Sequence, residues 1–187
     1  MRLTGGSHGG RLLTAAGADI RPTQDKVRAA IFSTLAGVIP GARVLDLFAG
    51  SGALGLEAWS RGAAWVEWVE CGKPALRCLR ANLQALQVPA DAGRIVVADV
   101  FQLLSTPYAG TGFDLVLADP PYELAKEQDW EARIAAALGQ SGWLRPGGFW
   151  VWETEGKAPP REFPGWTLLR DRAYGATRVL LRRKHEE

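Results

Sequence analysis

Cysteine and histidine are scarce in this chain, two of each in 187 residues. Cys71 and Cys78 stand seven residues apart, at the start of and within one expected helix, and His8 and His185 stand at opposite ends of the chain, so no zinc-ligand spacing exists. The cysteines are expected as small core or boundary residues of a reduced protein. No apolar run approaches the ~20 residues needed to cross a bilayer. The first residues, Met1-Arg2-Leu3-Thr4-Gly5-Gly6, carry no apolar leader, so a cytoplasmic location is expected. Internal repeats and low-complexity tracts are also missing. What remains is 47% apolar and 22% charged, enough for one sizeable core.

Excess charge is small too, at +2, but it is unevenly placed. Residues 1–28 hold five Lys/Arg against two Asp/Glu, and residues 170–187 hold six against three. The stretch between them is net acidic. Basic ends on an acidic body suggest that the ends meet a polyanion while the body holds something else. Solvated termini would give the same count.

Residues 1–28 read as a basic arm, irregular or hairpin-like, punctuated by Gly5-Gly6, Gly9-Gly10 and Gly17. Residues 29–187 read as one domain. Val27, Ala30, Ile31 and Leu35 keep helical spacing, and Pro40-Gly41 ends that segment. Strand and helix then alternate. Strands are expected over 44–48, 65–70, 94–98, 113–118 and 148–153, and helices over 53–61, 73–86 and 130–138. Two late segments, 166–171 and 177–183, close as a hairpin around Tyr174-Gly175. This pattern predicts an α/β fold with a mainly parallel seven-stranded sheet, helices on both faces and a C-terminal antiparallel hairpin.

Ligands of such sheets bind beyond the carboxyl ends of the strands. Four successive strands deliver an acid there: Asp46, Glu70, Asp99 and Asp119. Any one of these could be an ordinary surface acid at a loop start, but four in a row are harder to dismiss. Asp119 is followed by Pro120, Pro121 and Tyr122. Neither proline has an N–H, so the ladder stops and the acid stands at a stiff corner.

Gly50-Ser51-Gly52-Ala53-Leu54-Gly55 fits G-x-G-x-x-G, and Glu70 lies 18 residues beyond Gly52. That is a dinucleotide fingerprint, so an NAD(P)-dependent enzyme stands as an alternative. Asp46 argues against it, because a carboxylate before the glycine loop sits poorly beside a pyrophosphate. It suits a zwitterionic amino acid carrying a sulfonium, as in S-adenosylmethionine. On that reading Phe48, Gly50, Ser51, Gly52 and Cys71 border the cofactor and Glu70 accepts from the ribose hydroxyls. Asp99 accepts from the adenine amine, with the Val100 N–H near a ring nitrogen.

From Asp46 to Tyr122 the chain resembles the Rossmann-like class I S-adenosylmethionine-dependent methyltransferases. The blocks Arg21-Pro22-Thr23-x-Asp25-x-Val27-Arg28, Val44 to Ala58, Ser60 to Ala63, Val69-Glu70 and Asp119 to Tyr122 narrow this. Together they resemble the bacterial methyltransferases that modify a guanine N2 in 16S ribosomal RNA. The resemblance implies that Asp119 and the Pro120 carbonyl accept from the amine, that Pro121 fixes that carbonyl, and that Tyr122 stacks on the base. No metal is implied. It also implies that the arm and the C-terminal basic strand contact RNA, through Arg2, Arg11, Arg21, Thr23, Arg28, Arg178, Arg182, Arg183 and Lys184. The expected partner is 16S rRNA in the 30S subunit or its assembly intermediate, met by a monomer. Alternatives are an adenine-N6 or glutamine-N5 methyltransferase, or an RNA-binding assembly factor without catalysis.

Overall fold

The computed structural model describes residues 1–15, 22–156 and 159–186, the side chains of Pro22 and Thr23 excepted. After an N-terminal segment come α1 (Pro22–Thr34), β1 (Arg43–Leu47), α2 (Ala53–Ser60), β2 (Trp65–Glu70) and α3 (Lys73–Ala85). A short 3-10 turn leads to β3 (Gly93–Val97), α4 (Val100–Leu104), β4 (Phe113–Ala118), α5 (Tyr122–Glu127) and α6 (Trp130–Gln140). The chain closes with β5 (Leu144–Glu155), β6 (Trp166–Tyr174) and β7 (Thr177–Lys184). All seven expected strands are present. The brief helices α4 and α5 were not foreseen, being too short to show a period.

Strand order is β3-β2-β1-β4-β5-β7-β6. The first five run parallel, and β7 enters antiparallel between β5 and β6. That insertion departs from the plain 3-2-1-4-5-6 order of dinucleotide folds. β1 is central because Val44, Leu45 and Leu47 are all buried, which only a strand with helices on both faces allows. Order reverses between β1 and β4, so the crevice opens above their carboxyl ends.

Side chains alternate between two cores. Val44, Leu115, Leu117, Val151 and Val179 join α1, α2 and α3 on one face. Leu45, Val116, Ala118, Trp150, Trp152 and Leu180 join α4 and α6 on the other.

The described start of the arm, residues 1–15, is a packed hairpin. Arg2 bridges Leu12, while Leu3 and Leu13 are buried in the first core. The Ser7 N–H donates to the Ser60 carbonyl at 2.7 Å, and Thr4 donates twice to Glu57. Gly6 is required by this approach: with φ +77°, a Cβ there would lie 1.9 Å from the Ser60 oxygen. Gly6, and Gly5 against Arg61, therefore serve close docking onto the end of α2. Residue 28, the expected domain boundary, falls inside α1, whose Val27, Ile31, Phe32 and Leu35 are core residues.

Candidate active site

A cavity of about 810 Å³ lies over the carboxyl edge of the sheet. Its wall includes Phe48, Gly50, Glu70, Cys71, Asp99 and Val100 on one side and Asp119 to Tyr122 on the other. The expected cofactor acids and the proline corner therefore share one space.

Glu70 organises the near wall. One carboxylate oxygen accepts the Gly50 N–H at 2.8 Å, and the other accepts those of Cys71 and Gly72 at 2.9 and 2.7 Å. These bonds clamp the glycine loop to the end of β2; the oxygen that takes Gly50 keeps a lone-pair site toward the cavity, while Cys71 and Gly72 fill the other. Asp99 caps α4 with one oxygen, taking the Phe101 and Gln102 N–H groups at 2.9 and 3.0 Å. Its second oxygen remains for a ligand. Gly50 borders the cavity itself. Gly52 and Gly55 serve packing beneath it: a Cβ on Gly52 would sit 2.4 Å from Leu79 Cδ1, and one on Gly55 would sit 2.2 Å from Trp68 Nε1. Ser51 turns its carbonyl to the Asn82 amide. It and Gly52 hold the loop's shape and are absent from the cavity wall.

Asp46 corrects an expectation. It lies within β1, 1% exposed, and takes the Gly55 N–H at 2.8 Å from below the loop. Its carboxyl is pushed up to about 8, by burial first, with the Gly55 N–H opposing and the Asp119 and Glu70 charges adding to the rise. It acts on the loop and the local field rather than as a wall residue.

Asp119 opens to the cavity while protein surrounds its other sides, and that desolvation raises it to about 6. At neutral pH it is therefore an anion. β4 ends at Ala118 and α5 starts at Tyr122, so Pro120 and Pro121 form the whole corner between them. Tyr122 stands between this cavity and a smaller hollow of about 510 Å³ lined by Lys126, Trp152 and Arg161. Burial, then the Asp119 charge, pushes its phenol up to about 12, and its hydroxyl lies 3.4 Å from Thr177 Oγ1. The neutral ring suits stacking.

An edge of the sheet carrying acids, a glycine loop and a proline corner invites comparison with known proteins. Residues 1–183 match the family model described as conserved hypothetical protein 95. Ribosomal RNA small subunit methyltransferase D of Haemophilus influenzae is 32% identical over 94% of this chain and 89% of its own. Its Escherichia coli counterpart is 34% identical over 94% and 85%. The chain belongs to the ribosomal RNA small subunit methyltransferase D family. The fold agrees: the solved structure of Escherichia coli yhhF superposes with a TM-score of 0.86, covering 100% of this chain and 99% of that one at 31% identity.

Several wall residues of this methyltransferase-family chain escaped the sequence reading. Trp130, at the start of α6, stacks on Phe48, ring centres 5.2 Å apart and planes within 6°. Phe48 holds φ 58°, a left-handed conformation costly for an aromatic residue and found where a site constrains the chain. Gln24 on α1, Leu124 on α5 and the β6–β7 turn, Tyr174 to Thr177, complete the wall. They arrive from distant elements, with no local motif to mark them.

The proposed RNA contacts divide. Arg2 is exposed beside the start of α1, where its N–H meets Asp25 at 3.4 Å. Arg11 reaches Ala85 at the far end of α3, away from the cavity. Arg28 is 4% exposed and held by Asp25 at 2.6 Å and Glu57 at 3.5 Å. Arg182 is 1% exposed, paired with Glu131 at 2.7 Å and set against Trp150 and Phe163. Both are buried, fold-holding cations, correcting the expectation that they reach RNA; exposing Arg28 would also strand the buried Glu57 carboxylate. Arg178 is held by Asp171 at 2.6 and 2.5 Å. Arg183 and Lys184 end β7 at the opposite edge of the sheet, about 20 Å from Thr177 at ordinary strand rise. Neither borders the cavity. Arg21 and the Thr23 side chain lie outside the described residues. Formal charge had counted these residues alike; pairing and strand direction separate them.

Proposed function

We propose that the chain transfers a methyl group from S-adenosylmethionine to the exocyclic N2 of a guanine in 16S rRNA, acting on the 30S subunit or its assembly intermediate as a monomer. The observation that carries this reading is the placement of Asp119-Pro120-Pro121-Tyr122 across one cavity from Glu70 and Asp99, in a chain of this family. The residues fit the cofactor chemically: Glu70 and Asp99 keep free acceptor capacity for a ribose hydroxyl and an amine, and the wall is aromatic at Phe48 and Trp130. When bound, S-adenosylmethionine supplies an electrophilic methyl on a cationic sulfonium.

The protein's part is orientation. A guanine amine is a weak nucleophile because its lone pair delocalises into the ring. The Asp119 carboxylate and Pro120 carbonyl accept from its hydrogens, favouring a pyramidal nitrogen whose lone pair is free to attack. Pro121 has no N–H and leaves that carbonyl to the substrate. Tyr122 stacks on the base once it has left its own stack. A preorganised anion and fixed dipoles supply most of the acceleration. The basic groups proposed to guide RNA toward this edge are Arg2, Lys126 and Arg172, all exposed.

The test incubates labelled S-adenosylmethionine with undermethylated 30S particles and maps the product. The expected result is one methyl group on one guanine N2 of 16S rRNA. Label on protein, on DNA or nowhere overturns the reading.

A further inference from the structure

Glu153 is a carboxylate that the reaction described above does not use and that no motif marked. It lies on β5, 8% exposed, and forms no hydrogen bond or close ion pair among the described residues. Sheet geometry fixes where it points. β4 and β5 are parallel neighbours with Ala118 level with Trp152, so Asp119, just past the end of β4, and Glu153 on β5 are the next residues along. Ala118 and Trp152 face the core of α4 and α6, so by alternation Asp119 and Glu153 face the opposite side, under α1. Asp46 shares that face, since its β1 neighbours Leu45 and Leu47 lie in the α4 and α6 core. Adjacent strands stand about 4.8 Å apart, which brings the two carboxyl groups into each other's field.

The charges around Glu153 are few. Asp119 at the end of β4 and Asp46 on β1 repel it, and Arg28 of α1 attracts it. Arg28 is already engaged by Asp25 and Glu57. Tyr122 of α5 is neutral near pH 7, and on β7 the residue opposite is Val179. Burial, with the Asp119 charge second, holds the Glu153 carboxyl well above the usual range. Two neighbouring carboxyls with so little compensation do not both ionise.

We propose that Asp119 and Glu153 form a carboxyl pair sharing one proton, in which Glu153 carries the proton and Asp119 stays the charged acceptor for the target amine. This rests on the methyl-transfer reading for its substrate, though not for the pair itself. Protonation gives Glu153 a hydroxyl donor that the ionised form lacks; turned toward Asp119 across the strand spacing, it fixes which lone pairs remain for the amine. In the reaction the nitrogen–methyl bond forms as the sulfur–methyl bond breaks, its electron pair staying on sulfur. The extra proton on nitrogen passes to Asp119, and the doubly protonated pair then loses one proton to water through the cavity. Glu153 is thus a positioning residue that acts through Asp119.

Infrared titration of the cofactor-free protein tests the pair without any turnover. In an Asp46→Asn background, which removes the other carboxyl protonated near pH 7, the protein should show a protonated-carboxyl band that Glu153→Gln removes, and Asp119→Asn should move Glu153 ionisation to lower pH. In single-turnover methyl transfer, Glu153→Gln keeps a neutral donor and should retain roughly a tenth or more of the wild-type rate. Glu153→Ala should fall roughly another tenfold, with KM for the cofactor changed less than threefold. An unchanged band in Glu153→Gln, or equal losses in the Gln and Ala variants, overturns the proposal. A wild type that methylates no RNA, with the band and its shift present in the Asp46→Asn background, would sink the substrate reading and leave the pair standing.

Discussion

The two edges of one sheet are built in opposite ways. At the edge where β1, β4 and β5 begin, charge is met on the spot. Asp114 takes the Arg43 N–H at 2.6 Å and Arg145 at 2.8 Å. Lys184 donates to the Leu138 and Leu144 carbonyls at 2.8 and 3.0 Å. At the edge where the same strands end, Asp46, Asp119 and Glu153 share one face opposite Arg28, and Phe48 is held in a left-handed conformation. One edge is arranged for stability. The other keeps carboxyl groups in a poorly solvated place, where the proposed reaction receives a cation and an amine. Local rules are broken at functional sites and satisfied elsewhere.

The largest expected effect comes from removing the acceptor at the active edge. Asp119→Ala should lower single-turnover methyl transfer about 10³-fold, within the range of lost acid–base and positioning groups. Its denaturant midpoint should not fall, because a desolvated carboxylate has been removed. The wild-type rate should rise with pH through about 6, as Asp119 ionises. A loss below tenfold would mean that this edge is not the reactive one.

Asp46→Asn tests whether the burial of charge at that edge has a stability cost. The folded carboxyl titrates near 8 against 3.8 unfolded, so between those values the folded state holds a proton that the unfolded chain has released. Wild-type stability therefore falls as pH rises across that window, by at most about 1.4 kcal/mol per unit from this group. Below the window there is no contribution, and above it the loss is complete. Asn keeps an acceptor for the Gly55 N–H but has no proton to lose. Urea denaturation at several pH values should show the variant gaining on the wild type from acid to alkaline conditions; parallel curves would refute the tension ascribed to this edge.

How much of this was legible follows from what a sequence encodes locally. The strands show as short apolar runs, and the acids at the ends of three of them, Glu70, Asp99 and Asp119, are countable by position. Asp119 to Tyr122 announces itself because two prolines leave few conformations. Glu153 was invisible, embedded in Phe149-Trp150-Val151-Trp152-Glu153, where nothing tells a buried acid from the first residue of a loop. Its meaning came from register with β4 and from α1 overhead, both long-range. Gln24 and Trp130 were hidden for the same reason. The basic ends misled in a complementary way: Arg28 and Arg182 count as positive in the sequence, yet their charge is consumed by Glu57 and Glu131.

The smallest effect belongs to the opposite edge and sharpens the comparison most cheaply. Lys184→Met keeps the aliphatic stem and removes the donors to Leu138 and Leu144, which tie the end of α6 to the start of β5. The loss should be about 1 kcal/mol of stability, the usual net worth of such hydrogen bonds, read as a shifted urea midpoint with an unchanged slope. Methyl transfer should keep its kcat and its KM for 30S particles, because the side chain points along the wrong edge of the sheet. If KM for the particle instead rises tenfold while the fold holds, the C-terminal strand does touch RNA. The charge it contributes would then be doing at one edge what the cavity does at the other, and the division between a stabilising edge and a reactive edge would fail.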